Sequence, residues 1–190
     1  MMKKIQQNQK VDIEILKRRA RKSIPDSIRG SAWPILAQSD RVIPSNYGWG
    51  TAAKQEWMKT FLNNGLTKKE LHSIFKDITR TLPTHVWFAD DLGTGQRALF
   101  AVLKCLALHY PDCGYVQGMG FVSAVLMTYT TPEDSFCIMN TLFTNEKYRM
   151  HDLFLPGMPG LERSFYVFLS LQKQYMPKVF SRLNELGFSP

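Results

Sequence analysis

Cysteine is scarce in this chain of 190 residues: Cys105, Cys113 and Cys137 are its only three, without the spacing of a disulfide framework. An odd, scattered set excludes a stapled secreted fold and suggests free thiols in a reducing, cytoplasmic compartment. Long apolar runs are lacking as well. One stretch, Cys113 to Pro132, carries no charge and matches the ~20 residues of a spanning helix. It is interrupted by Gly114, Gln117, Gly118, Gly120 and Ser123, however, and is densely apolar only from about Phe121 to Met127. A buried core helix fits it better. No apolar segment follows the basic start Met1-Met2-Lys3-Lys4, so no secretory signal is expected. Sustained period-2 alternation is missing, and so are repeats and low-complexity tracts.

What is present suits one compact domain. The 44% of hydrophobic residues can build a core, and 21% charged residues exclude disorder throughout. The formal charge of +8 hints at a polyanion partner, but residues 1–22 carry +6 of it, with Lys3, Lys4, Lys10, Lys17, Arg18, Arg19, Arg21 and Lys22 set against Asp12 and Glu14. The rest is nearly neutral, so no broad nucleic-acid-binding face is expected. Residues 1–20 read as a solvated basic arm or helix, capable of at most peripheral membrane contact.

The expected fold class is all-α, because apolar residues recur at helical spacing nearly everywhere. Thr67-Lys68-Lys69-Glu70 is a capping box that opens a helix. Leu71, Ile74, Phe75 and Ile78 then form its expected buried stripe, with Asp77 and Arg80 on a neighbouring face. Pro83 disfavours helix at Leu82, so this helix should end near Thr81 and leave Arg80 projecting. A central helix is expected from Gln96 to about His109, broken by Pro111-Asp112-Cys113-Gly114. Further helices should run from about Gln117 to Met127, from Thr131-Pro132 onward, from Leu161 to Tyr175 and from Val179 to Leu186.

Three clusters could carry chemistry, and each alone has an ordinary explanation. Pro25, Arg29 and Trp33 place a guanidinium one turn from an indole, which is usually packing. Asp77 and Arg80, three apart on a helix, usually make a surface pair worth tenths of a kcal/mol. Tyr115-Val116-Gln117-Gly118-Met119-Gly120 opens an apolar helix with glycines that would let another backbone approach, and with an amide able to orient water. Cys105, His109 and Cys113 at i, i+4, i+8 suggest a metal only superficially. Along one helix the outer two would lie ~12 Å apart, so no metal site is expected.

Taken together, in order and spacing, these clusters resemble the TBC domain of Rab GTPase-activating proteins. Ile24, Pro25, Arg29 and Trp33 match one motif; Ile74, Asp77 and Arg80 a second; Tyr115, Gln117, Gly118 and Met119 a third. The resemblance runs from near Arg21 to Pro190. It implies an activator of a GTP-bound Rab-type GTPase, with Arg80 as arginine finger and Gln117 orienting the attacking water. Asp77, Tyr115, Gly118 and Met119 would support the fingers or contact the partner, while Pro25, Arg29 and Trp33 brace the fold. GTP and Mg²⁺ would belong to the GTPase, leaving this chain no cofactor of its own. A catalytically silent Rab-binding or scaffold module is the alternative, and intact Arg80 and Gln117 weigh against it. Two departures stand out. Gly120 replaces the polar residue frequent in the family, and the family's domain normally continues through further helices, implying a missing C-terminal part. Nothing in the sequence signals an oligomeric state.

Overall fold

The computed structural model describes residues 12–188, Trp49 excepted. Part of the expected basic arm, with Lys3, Lys4 and Lys10, lies outside the described residues. Among the described residues the regular structure is entirely helical, as the periodicity predicts. The helices are α1 (Ile13–Ala20), α2 (Asp26–Ala37), α3 (Thr51–Leu62), α4 (Lys68–Ile78), α5 (Thr94–His109), α6 (Met119–Met127), α7 (Pro132–Thr144), α8 (Pro159–Tyr175) and α9 (Pro177–Glu185). Short 3₁₀ turns lie at Ser39–Val42, Ser45–Tyr47 and Met150–Leu153. No helix among the described residues is long and apolar enough to cross a membrane.

The chain divides into two compact units, residues 1–142 and 143–190. In the first, α5 is the central element and packs against α3, α4 and α6. Leu99, Val102, Leu103, Cys105 and Leu106 are completely buried along it, as expected of a helix apolar on most sides. Rings of Trp57, Phe61, His109 and Phe136 meet at centroid distances of 4.9–6.4 Å. Lys54 is a buried cation within this unit. Its ammonium reaches Asp40 at 2.6 Å and Asp134 at 2.8 Å, joining α3 to the first 3₁₀ turn and to α7. Burial alone would lower its pKa, but the hydrogen bonds to Asp134 and Asp40 and their charges raise it overall.

Arg29 braces α2 differently from the expected guanidinium–indole pair. Its Nε donates to the Ile24 carbonyl at 3.1 Å and its Nη1 to the Tyr129 hydroxyl at 2.7 Å, while Asp26 pairs with the same nitrogen. The guanidinium lies over the Tyr129 ring, 5.1 Å from its centroid, and Trp33 meets that ring edge-on at 5.0 Å. Pro25 is the N-cap residue, extended just before the helix.

In the second unit, α8 packs against the Met150–Leu153 turn and against α9. Asp152 accepts from Arg163 at 2.8 Å and pairs with Arg149 at 3.0 Å. Proline occupies the first position of both helices, where its missing N–H costs nothing. The helices therefore begin at Pro159 and Pro177, two residues before their expected starts. α8 exposes Phe165, Tyr166, Phe168, Leu171 and Tyr175.

Candidate functional site

The capping box forms as read. Thr67 Oγ1 accepts from the Glu70 amide at 3.2 Å, and the Glu70 carboxylate accepts from the Thr67 amide at 3.0 Å. α4 thus starts in a fixed register and ends at Ile78, and Arg80 sits in the turn beyond it. Leu82 has a φ of 47°. A left-handed residue cannot continue the helix, and Pro83 follows it.

The inward face of α4 differs from the expected stripe. Ile74 and Ile78 are buried, but Phe75 is 45% exposed and stacks on Phe100. Asp77 takes an inward position and is only 8% exposed. A carboxylate so placed needs partners, because burial without them costs several kcal/mol. It has two. Oδ1 accepts from Arg80 Nη2 at 2.5 Å, and Oδ2 accepts from the Tyr115 hydroxyl at 2.7 Å. The Thr81 hydroxyl donates to the Asp77 backbone carbonyl at 2.7 Å, closing the turn from below. Burial raises the Tyr115 phenol pKa, reinforced by its bond to Asp77 and by that carboxylate's charge.

Tyr115 brings the third motif to this carboxylate. Gln117 follows two residues later, in a turn rather than in the first turn of a helix, which corrects the expected start of α6. The reason is Gly118. Its φ of 107° lies outside what other residues adopt easily, so α6 begins at Met119 with Gly118 as cap. Gln117 is exposed, and among the described residues its carboxamide has no hydrogen-bond partner. Met119 is completely buried and serves the core. Gly120 is buried too. A Cβ there would lie 3.5 Å from the Thr81 hydroxyl and 3.6 Å from that of Tyr115. Gly120 therefore stands against the same polar cluster.

Arg80, Asp77 and Tyr115 thus form one hydrogen-bonded chain, with Thr81 and Gly120 behind it and Gln117 two residues along. Arg29 and Trp33 are outside this chain. Cys105 and Cys113 have other engagements, their thiols pointing to the carbonyls of Met58 and Tyr110 at 3.5 Å.

Several features were not anticipated from sequence. Between Arg80 and α5 the chain forms a shaped loop that exposes Val86 and Trp87. Gln96, buried in the first turn of α5, holds it: Nε2 donates to the Phe88 carbonyl at 2.9 Å, and Oε1 accepts from the Leu92 amide at 3.0 Å. Phe121 and Val125, exposed at i and i+4 on α6, line an open apolar groove of about 340 Å³ with Trp33, Val122 and Leu126. That i, i+4 spacing was visible in the sequence; the loop's shape was not.

Comparison with known proteins agrees with this architecture. Residues 26–190 match the model of the Rab-GTPase-TBC domain. The chain belongs to that family. Among its relatives, GTPase-activating protein GYP5 of Saccharomyces cerevisiae is 33% identical over 169 residues, covering 87% of this chain and 16% of that protein. Rab GTPase-activating protein tbc-11 of Caenorhabditis elegans is 29% identical, covering 86% of this chain and 17% of that protein. Carabin of Mus musculus is 28% identical over 92% of this chain, and 37% of Carabin is covered. The Ypt/Rab-GAP domain of Gyp1p superposes with a TM-score of 0.69 at 19% identity, over 92% of this chain and 63% of that one. A Chlamydomonas flagellar RabGAP TBC domain also gives 0.69, at 20% identity, over 98% of this chain and 59% of that one. The chain therefore spans less than two-thirds of each of these proteins.

Proposed function

We propose that this chain accelerates GTP hydrolysis on a GTP-bound Rab-type GTPase, supplying Arg80 and Gln117 in trans to the partner's nucleotide site. The observation that carries this reading is the Asp77 carboxylate, which ties the turn bearing Arg80 to the segment bearing Gln117 while both finger side chains stay exposed. Phosphoryl transfer asks for positioning and for charge neutralisation rather than for covalent help. Arg80 delivers a planar cation to the oxygens between the β- and γ-phosphates, and lysine lacks its fork of donors. Gln117, donor and acceptor at once, orients the attacking water. GTP and Mg²⁺ are the partner's, and the site here needs no cofactor. Asp77, Tyr115 and Gly118 hold the geometry, and Met119 anchors α6 beneath it. The setting is cytoplasmic, with at most peripheral membrane contact through the exposed basic residues of α1.

The test is single-turnover phosphate release from a panel of GTP-loaded Rab proteins. At least one member should be accelerated, and Arg80→Ala should remove about 10³–10⁵ of that acceleration. Gln117→Ala should also reduce it strongly. Binding to a Rab with unaltered hydrolysis would replace this reading with that of a docking module.

A further inference from the structure

The Arg80–Asp77 contact is monodentate. One guanidinium nitrogen meets one carboxylate oxygen, and the other oxygen is taken by the Tyr115 hydroxyl. That is not the arrangement an isolated pair prefers. Arginine and carboxylate tend to close two parallel hydrogen bonds, which are stronger and geometrically fixed. Asp77 is nearly buried, whereas the Arg80 side chain keeps 47% of its surface exposed. A second bond would draw the guanidinium down toward the carboxylate and commit both of its terminal nitrogens there. The phenol takes up one of the acceptor sites of that second oxygen and so competes for it. Among the described residues Nη1 and Nε of Arg80 have no partner, which leaves most of the donor fork unengaged.

We propose that Tyr115 is a positioning residue that keeps Arg80 half-held: by donating to Asp77 Oδ2 it competes with a two-pronged clamp, leaving the finger anchored yet free to donate to a phosphoryl group. The proposal rests on the GTPase-activating reading and adds a division of labour within it. Asp77 supplies the anchor, and Tyr115 limits the anchor's grip. The same phenol lies two residues from Gln117, so the second finger's segment sets how tightly the first is held. Neither Asp77 nor Tyr115 need touch the nucleotide for this to operate.

The experiment compares wild type, Tyr115→Phe, Asp77→Asn and the double variant on the Rab giving the largest acceleration. Tyr115→Phe should lower kcat roughly ten- to a hundred-fold with little change in KM, since misplacing one group by about 1 Å can cost as much. Adding Asp77→Asn should recover part of that loss, because an amide offers one acceptor oxygen and cannot form the clamp. A bracing role for the phenol predicts the opposite, with the double variant worse than either single one. A second measurement needs no GTPase. In the free protein, rotation about the Arg80 Nε–Cζ bond, followed by NMR, should be slower in Tyr115→Phe than in wild type. Faster or unchanged rotation, or a double variant without recovery, overturns the proposal. Should wild type accelerate no Rab while rotation slows as stated, the activating reading fails and the half-held arginine stands.

Discussion

The backbone carbonyl of Trp87 lies directly over Gly95, so close that a Cβ on Gly95 would stand 1.9 Å from its oxygen. No rotamer relieves that contact, since both atoms belong to or adjoin the main chain. Gly95→Ala should therefore push the loop off the start of α5 and cost about 2–3 kcal/mol of stability. Gly120 offers the contrast. It is helical, and an added Cβ would meet its neighbours at 3.5–3.7 Å, ordinary contact distances. Gly120→Ala should add about 0.5–1 kcal/mol by restricting the unfolded chain. Urea denaturation of both variants checks the pair, and a destabilised Gly120→Ala would contradict the packing around Thr81 and Tyr115.

Lys54 should be hard to replace. Its ammonium is shared by two carboxylates, and Lys54→Met would leave Asp134, the less exposed of the two, without its cation. A loss of about 2–3 kcal/mol is expected, less than for a fully buried pair because Asp40 is largely solvated. The double variant Lys54→Met/Asp134→Leu should regain part of the loss, which denaturation midpoints would reveal.

Acid should weaken the fold through His109. Burial against Trp57, Phe61 and Phe136 holds its pKa below the ordinary 6.5. The unfolded chain thus takes up this proton at a higher pH than the folded one, and between the two values stability rises with pH. The contribution is complete above about 6.5 and is lost as pH falls toward the depressed folded value. Urea titrations between about pH 5 and 7.5 should show this slope reduced in His109→Phe. An identical slope in the variant would assign the acid sensitivity elsewhere.

The cysteines should report unfolding. Burial pushes the thiols of Cys105 and Cys137 up to about 12, and that of half-buried Cys113 to about 11. Almost no thiolate exists near neutrality, so alkylation of the native protein should be slow, with Cys113 modified first. Cys105 and Cys137 should label at the rate at which the chain opens in urea. Peptide mapping after timed iodoacetamide exposure reads the order directly.

Local chemistry made much of this architecture legible. The capping box at Thr67 and the Thr131-Pro132 start needed no tertiary information, because their partners lie within four residues. Leu82 and Pro83 likewise mark a limit that α4 cannot pass, although the helix ends at Ile78, three residues before the expected Thr81. Asp77 departs from its expected face for a physical reason. Periodicity assigns a carboxylate to solvent, and only partners at Arg80 and, from 38 residues away, at Tyr115 make its burial tolerable. The indole expected beside Arg29 was the nearest aromatic residue in sequence, yet Tyr129, a hundred positions on, faces the guanidinium. The sequence expects α6 to begin at about Gln117, two residues early, because the positive φ of Gly118 cannot be told from an ordinary helical glycine by composition.

Gln96 uses both ends of its carboxamide on the stretch that presents Val86 and Trp87. Those side chains consequently ride on backbone whose dihedrals freeze when the domain folds, not when something docks. An encounter there would surrender little configurational freedom, and the affinity gained per contact would exceed that of an unshaped strand of equal composition.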